Sequence, residues 1–293
     1  MANLKEIRVR IASVTSTRQI TSAMKMVSAA KLRKAQEAIV QMRPYATKLH
    51  EILVSLIGNL GSGDGNAFGQ VRNPEKVLLV VITSNKGMCG AFNANVVKAA
   101  NYIINEEYAQ LAARGNVHLL TIGKKAYDAF KSRKIPIYQS RPDLFDKMSF
   151  ENTVPVVEDL MQKFLAHEYD RVILIYNQFK NAAVQILTTE QFLPVKMEVP
   201  EDGVKQNFDF VYEPSQEEIV EELIPKSLKI QFHKALLDSF AAEHGARMTA
   251  MYKATDNATE LLKDLKLHYN KVRQASITNE ILEIVSGANA LGK

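Results

Sequence analysis

Ser84-Asn85-Lys86-Gly87-Met88-Cys89-Gly90 follows a run of apolar, mostly β-branched residues and precedes a helical pattern. In open α/β sheets that is where a loop holds a phosphate, cradling it with backbone N–H groups at a helix start. The loop has no second glycine pair for a dinucleotide fingerprint and no Gly-Lys-Ser or Gly-Lys-Thr ending for a P-loop, so its glycines read first as turn residues. Cys89 would be the nucleophile if there were one, but no histidine lies near it in sequence, and a partly exposed structural cysteine is expected. The six histidines (His50, His118, His167, His233, His244, His268) match no metal-binding spacing. Paired carboxylates and a serine elbow are missing too, so no catalytic, cofactor-binding or metal-binding residues are expected. An α/β nucleotide-binding enzyme stays open as the alternative that the loop alone would favour.

Charge points to a partner instead. Met1 to Lys34 carries eight basic residues (Lys5, Arg8, Arg10, Arg18, Lys25, Lys31, Arg33, Lys34) against Glu6 alone, while the whole chain of 293 residues has a net charge of +5. Nucleic acid, lipid or an acidic protein surface would each suit it. No aromatic residue precedes Tyr45 to stack on bases, which weighs against nucleic acid and leaves a basic coiled-coil adaptor as a further alternative. No run of eighteen uncharged residues exists, so no segment is expected to span a membrane. The start lacks an apolar signal core and the single cysteine cannot pair within the chain, so a reducing, cytoplasmic side is expected.

The elements that would position these groups are unusual. Leu4, Ile7, Ile11 and Val14, then Ile20, Met24 and Val27, then Leu32, Ala35, Ile39, Met42, Ala46, Leu49, Leu53, Leu56 and Leu60 predict a long helix, capped by Asn3 and bent at Pro44. Gly58, Gly61, Gly63 and Gly65 close it into a loop. The middle changes period: strands at Val77 to Thr83 and Val117 to Ile122, helices at Asn93 to Arg114, Lys124 to Arg133 and Val154 to His167, an extended piece at Ile135 to Tyr138, and an antiparallel hairpin of Arg171 to Phe179 with Val184 to Phe192. Glu201 to Asn207 reads as loop and Phe208 to Tyr212 as a last strand. Ser215 with Glu218 forms a capping box opening a short helix that Pro225 ends. From Asp238 to the end there is no proline, and Met251, Thr255, Ala258, Leu262, Leu265, Tyr269 and Val272 alternate by four and three, the stripe that seats one helix along another. The expected fold is α/β plus coiled coil. A helix over 1–60 pairs antiparallel with one over 213–293, and 61–212 forms a Rossmann-like α/β domain with a mixed sheet.

The end of the second helix changes face. Ile277, Ile281, Ile284, Ala288 and Leu291 form a stripe offset by five residues from the one ending at Val272, and Ile284 to Gly292 carries no charge. Helix ends favour Lys or Arg against the macrodipole. An uncharged tip suits a sleeve of apolar side chains, where a charge would cost several kcal/mol to desolvate. Ile284, Ala288 and Leu291 are the expected bearing residues, and a frayed tail is the other reading of this end.

Three segments resemble one family. Arg273-Gln274-Ala275-Ser276-Ile277-Thr278-Asn279-Glu280-Ile281-Leu282-Glu283-Ile284-Val285-Ser286-Gly287-Ala288 resembles the C-terminal signature of the gamma subunit of F-type ATP synthases. Ile20-Thr21-Ser22-Ala23-Met24-Lys25-Met26-Val27-Ser28-Ala29-Ala30-Lys31-Leu32 is similar to its N-terminal helix. Ala246-Arg247-Met248-Thr249-Ala250-Met251 with Ala254-Thr255-Asp256-Asn257-Ala258 is similar to its long C-terminal helix. The central loop departs from the family, which usually has an acidic residue and an arginine where this chain has Asn85 and Lys86. The resemblance implies a non-catalytic rotor shaft without cofactors, turning inside alternating alpha and beta subunits. Its base would meet the proton-driven c-ring and the epsilon subunit near Tyr212. It also implies that Arg273, Gln274, Thr278 and Glu283 bond to a beta loop, that Met24 and Lys25 lie near an acidic beta segment, and that the segment around Cys89 touches beta. The implied location is peripheral, on the cytoplasmic face of a bacterial inner membrane.

Overall fold

The computed structural model describes residues 4–60, 67–146, 148–195 and 216–291. Two very long helices, α1 (Leu4–Leu60) and α7 (Gln216–Leu291), bracket a five-stranded mixed sheet. The residues group into two compact units: 29–247, which holds the sheet, and 1–28 with 248–293, which holds only helix among its described residues.

In the sheet-bearing unit, β1 (Val77–Ile82) is the central strand, and all six of its side chains are fully buried. A continuous apolar run is what a strand covered on both faces requires. It pairs in parallel with β2 (Val117–Ile122) and with β4 (Arg171–Phe179). A short β3 (Ile137–Ser140) lies parallel beyond β2, and β5 (Gln185–Leu193) returns antiparallel along β4, giving the order β3-β2-β1-β4-β5. The hairpin and mixed sheet expected from the sequence are both present. Alternation divides the core. Val77, Leu79 and Val81 meet Val96 and Ala100 of α2 (Phe92–Tyr102) and Phe130 of α4 (Lys124–Lys131). Leu78, Val80 and Ile82 face Val156, Leu160 and Phe164 of α6 (Phe150–Leu165), Phe232 and Leu236 of α7, and Leu49 and Leu53 of α1.

Several expectations are corrected. The single helix over 93–114 is broken by a π-turn at Ile103–Glu107, in which the Tyr108 N–H reaches back to the Ile103 carbonyl at 3.0 Å, before α3 (Ala109–Ala113). Ile103, Ile104 and Tyr108 are all buried in the core across this wider turn. A one-turn α5 (Asp143–Asp146) was not anticipated. Pro225 does not end a helix: α7 runs through it. Losing the interior hydrogen bond costs about 3 kcal/mol. Burying Ile224 and Leu228 on either side is worth roughly 1.5–3 kcal/mol each and outweighs that loss. The Asn3 cap, the glycine loop over 61–65, the loop over 201–207, the strand over 208–212 and Ser215 of the capping box lie outside the described residues.

In the helical unit the chains run antiparallel. Arg8 Nη2 donates to the Tyr269 hydroxyl at 2.9 Å, Thr255 Oγ1 to Thr21 Oγ1 at 2.9 Å, and the Lys25 ammonium lies 5.4 Å from the Tyr252 ring centroid. On α7 the expected stripe holds: Met251, Ala258 and Leu262 are buried and Thr255, Leu265, Tyr269 and Val272 half-buried. On α1 it is corrected. Ile20 and Val27 are 59% and 57% exposed, while Thr21 and Ser28, one position on, are buried. The inward positions Leu4, Ile7, Ile11, Val14, Arg18, Thr21, Lys25 and Ser28 keep the heptad spacing without a break, and the seam turns polar from Arg18 to Ser28.

Candidate functional site

The loop after β1 sits where the sheet order reverses, between β1 and β4, the position that receives ligands in open α/β sheets. Its own chain fills that position. Cys89 and Phe92 pack with Phe179, Ala242 and Ala246 in one cluster, and Asn177 Nδ2 donates to the Phe92 carbonyl at 3.1 Å. α7 comes close here because its residues are small. A Cβ on Gly245 would lie 3.2 Å from the Ala182 Cα and 3.4 Å from the Phe179 ring. The loop also presents the wrong groups for an anion: Arg247 Nη2 donates to the carbonyls of Lys86 and Gly87 at 2.9 and 3.2 Å. A phosphate cradle offers N–H groups. This one offers oxygens to a guanidinium, which is itself buried and paired with the buried Glu243. The run Ala241-Ala242 with Gly245-Ala246 was the available sequence signal for this close approach.

Cys89 is 2% exposed, so the expected partial exposure is corrected. Burial pushes its thiol above the usual range, against smaller opposing effects of the Ser84 hydrogen bond and the Arg247 charge. A thiol held protonated is a poor nucleophile. Ser84 Oγ lies 3.8 Å from the sulfur, and Asn93 Nδ2 donates to it at 3.2 Å. The outward residue of the loop is its neighbour Met88, 61% exposed with a φ of 61°. The Asn85 amide is used at both ends: its Nδ2 donates to the Pro142 carbonyl at 2.9 Å while its Oδ1 accepts from the Lys124 N–H at 3.1 Å. A carboxylate could make only the second bond.

The histidines have structural settings. His118 Nδ1 is 2.8 Å from the Tyr169 hydroxyl, and His233 Nδ1 is 3.2 Å from Thr153 Oγ1. His244 is buried edge-on to Phe240 and pushed down to about 3, first by burial and then by Arg247 and Lys31. His167 and His268 are exposed, and the side chain of His50 lies outside the described residues. No group of three His, Cys, Asp or Glu suited to a metal ion occurs among the described residues.

The remaining candidates lie in the helical unit. Met24 and Lys25 are half-buried on α1. Arg273, Gln274, Thr278 and Glu283 are exposed on α7, and Thr278 Oγ1 donates to the Gln274 carbonyl at 3.0 Å. Every residue from Ile277 to Asn289 is exposed, with Ile284 at 71%, Ile281 at 55% and Leu282 at 57%. Ala288 belongs to this stretch. The Leu291 side chain and all of Tyr212 lie outside the described residues.

A family model described as ATP synthase matches residues 3–291. The ATP synthase gamma chain of Christiangramia forsetii is 55% identical over 291 residues, covering 99% of each chain, and that of Flavobacterium johnsoniae is 57% identical over 291 residues with the same coverage. Among solved structures, a chain of the Euglena gracilis mitochondrial ATP synthase rotor in rotational state 1 superposes with a TM-score of 0.67 at 23% identity, covering 94% of this chain and 98% of that one. A chain of the same organism's OSCP/F1/c-ring assembly gives 0.69 at 23% identity, covering 98% and 94%. At that identity the likeness carries the fold.

Proposed function

The chain belongs to the ATP synthase gamma-chain family, and from that premise we propose how it acts as a non-catalytic, central-stalk subunit. It carries no bond chemistry. It presents different faces to the catalytic beta subunits and shifts their conformational equilibria by its differential contacts with open and closed states. The observation that carries this reading is the bare end of α7: from Ile277 to Asn289 a helix with a marked apolar stripe has no cover. A long, exposed apolar stripe on a soluble surface calls for a partner. Ile284, Ala288 and Leu291 form the bearing within a sleeve of alpha and beta subunits. Arg273, Gln274, Thr278 and Glu283 form a polar catch for a beta loop, their exposure leaving their hydrogen-bonding groups available. Met24 and Lys25 face an acidic beta segment, and the Lys86–Gly90 loop adds a further beta contact, made by Met88 and the loop backbone because Cys89 is enclosed.

The base carries the epsilon and c-ring contacts, with Tyr212 on that side. No described helix is long and apolar enough to cross a membrane. The chain works peripherally on the cytoplasmic face of a bacterial inner membrane. The nucleotide-enzyme alternative is disfavoured because the ligand position of the sheet is taken by α7 and Arg247.

Thr278→Ala and Glu283→Ala in the assembled complex test the catch. Proton-driven ATP synthesis is expected to fall several-fold in each while the thermal midpoint of the complex stays put. Wild-type synthesis rates in both variants would remove the catch assignment.

A further inference from the structure

From Phe232 to Arg247, α7 is buried on nearly every side, with only Lys234 exposed and Phe240 half-buried. Polar atoms inside such a section need partners, because a buried donor or acceptor left unpaired costs more than an ordinary hydrogen bond contributes. Among the described residues, Ser239 Oγ, Glu243 Oε2 and His244 Nδ1 have none. Ser239 is 0% exposed and Glu243 5%. These two belong to one row of the helix. Residues four apart stack on the same face, about 5–6 Å between Cβ atoms, and their side chains lean towards the helix N-terminus. Arg247 reaches back onto Glu243 in this way, its Nη1 donating to Oε1. The same lean carries Glu243 towards Ser239. One carboxylate oxygen is therefore taken and the other is turned along the row towards an unserved hydroxyl, yet the two do not bond to each other. The remaining unpaired atoms stand apart: His244 lies a step round the helix against Phe240, and Thr121 sits beside Val81 on the sheet face opposite the one packed against α7.

We propose that α7 binds one buried water molecule between Ser239 Oγ and Glu243 Oε2, on the stretch of the helix that packs against the loop after β1. Water suits this pair because it donates and accepts at once. It gives a hydrogen to the carboxylate, which can only accept, and receives the hydrogen bond of the serine hydroxyl. Enclosed waters are held where two or more polar groups converge, and a hydroxyl and a carboxylate oxygen one turn apart provide that. A metal cation does not suit it, since the Arg247 guanidinium already sits on the carboxylate and Lys31 of α1 adds a second positive charge facing it, against only Asp146 of α5. The bound water fixes the second oxygen of the carboxylate that orients Arg247. Through Arg247 it steadies the guanidinium that donates to the Lys86 and Gly87 carbonyls. Ser239 is thus a positioning residue for the loop, and the site stands independently of the rotor reading.

A density map of the assembled complex, at a resolution that shows ordered water, tests this directly. A peak is expected about 2.7–3.2 Å from both Ser239 Oγ and Glu243 Oε2, and it should vanish in Ser239→Ala while the Glu243–Arg247 pair stays in place. No peak in the wild type, or Ser239 Oγ bonded straight to Oε2 of a carboxyl that carries a proton, overturns the proposal. So does a peak that persists unchanged in Ser239→Ala. Denaturant titration of the full chain gives a second reading through the cycle of Ser239→Ala, Glu243→Gln and the double variant, in which the helix preference of alanine cancels. The rise in the unfolding equilibrium constant of the double variant should fall short of the product of the single rises by about fivefold, the size of one buried hydrogen bond. Single effects that simply multiply overturn the shared site. If Glu243→Gln does not fold, the maps of the wild type and Ser239→Ala decide alone. Loss of coupling in Thr278→Ala bears on the rotor reading and leaves this result untouched.

Discussion

At the scale of single residues, the chain's buried charges are used to hold backbone rather than to react. Arg247 donates to two loop carbonyls and to one oxygen of the Glu243 carboxylate at once. Arg247→Ala would leave Glu243 enclosed without a counter-ion and two carbonyls without donors. Breaking a buried pair from one side costs about 3 kcal/mol or more. A drop of that order in unfolding free energy is expected by denaturant titration, with Arg247→Lys recovering part of it. A second effect should appear in the thiol: alkylation of Cys89, slow in the wild type, should speed up once the loop is unlatched. His244 gives a pH signature. Its folded value, about 3, lies below the unfolded one, so its neutral form costs nothing above about pH 6.5. As pH falls from there towards about 3, only the unfolded chain takes up the proton, and stability is lost by at most about 1.4 kcal/mol per pH unit. His244→Leu removes that slope and also a buried ring nitrogen without a partner. A stability profile as steep as the wild type's between about pH 6 and pH 4 would show that the titration belongs elsewhere.

At the scale of elements, the polar seam between α1 and α7 is a device of register. Thr255 donates to Thr21, which in turn donates to the Arg18 carbonyl. Thr21→Val and Thr255→Val should each cost about 0.5–1.5 kcal/mol for the lost bond between them, because Thr21 keeps the Arg18 carbonyl and Thr255 the Met251 carbonyl, and the double variant should lose less than the sum of the two. Additive losses in that double-mutant cycle would mean the two hydroxyls do not interact. The same seam shows what a sequence can and cannot tell. The apolar stripes at Leu4 to Val14, Leu32 to Leu53 and Met251 to Val272 were legible because burial there coincides with hydrophobicity. Between them Ile20 and Val27 drew the stripe one position off, because the true inward residues, Thr21 and Ser28, are polar and only their 3–4 spacing gives them away. In the sheet, strands buried on both faces were readable from composition alone. The π-turn at Ile103 and the passage of α7 through Pro225 were not, since both are decided by core contacts made far along the chain. Of the candidate site, the end of α7 was legible as an uncharged stripe, while the Arg247 latch depends on a loop 160 residues away in sequence.

At the scale of the whole molecule, the division of labour between stability and function can be tested on the same helix. The buried and half-buried residues of this helix lie before Ile277, and from Ile277 to Asn289 every residue is exposed. Ile281→Asn and Ile284→Asn should therefore change the unfolding free energy of the full chain by less than about 0.5 kcal/mol, the ordinary range for exposed positions. Inside a sleeve of apolar side chains the same amide is buried without a partner, at a cost of roughly 1–3 kcal/mol. Because that cost recurs in every rotational position, it should appear as a lower thermal midpoint of the assembled complex and a reduced rate of ATP turnover, with little change in the isolated chain. The uncharged run over 284–292 fits this demand better than it fits a free helix end, which would gain from a cation near its last carbonyls. A complex that carries both substitutions with unchanged stability and turnover would show that the tip runs free of apolar contact, and the exposed stripe would then need another partner.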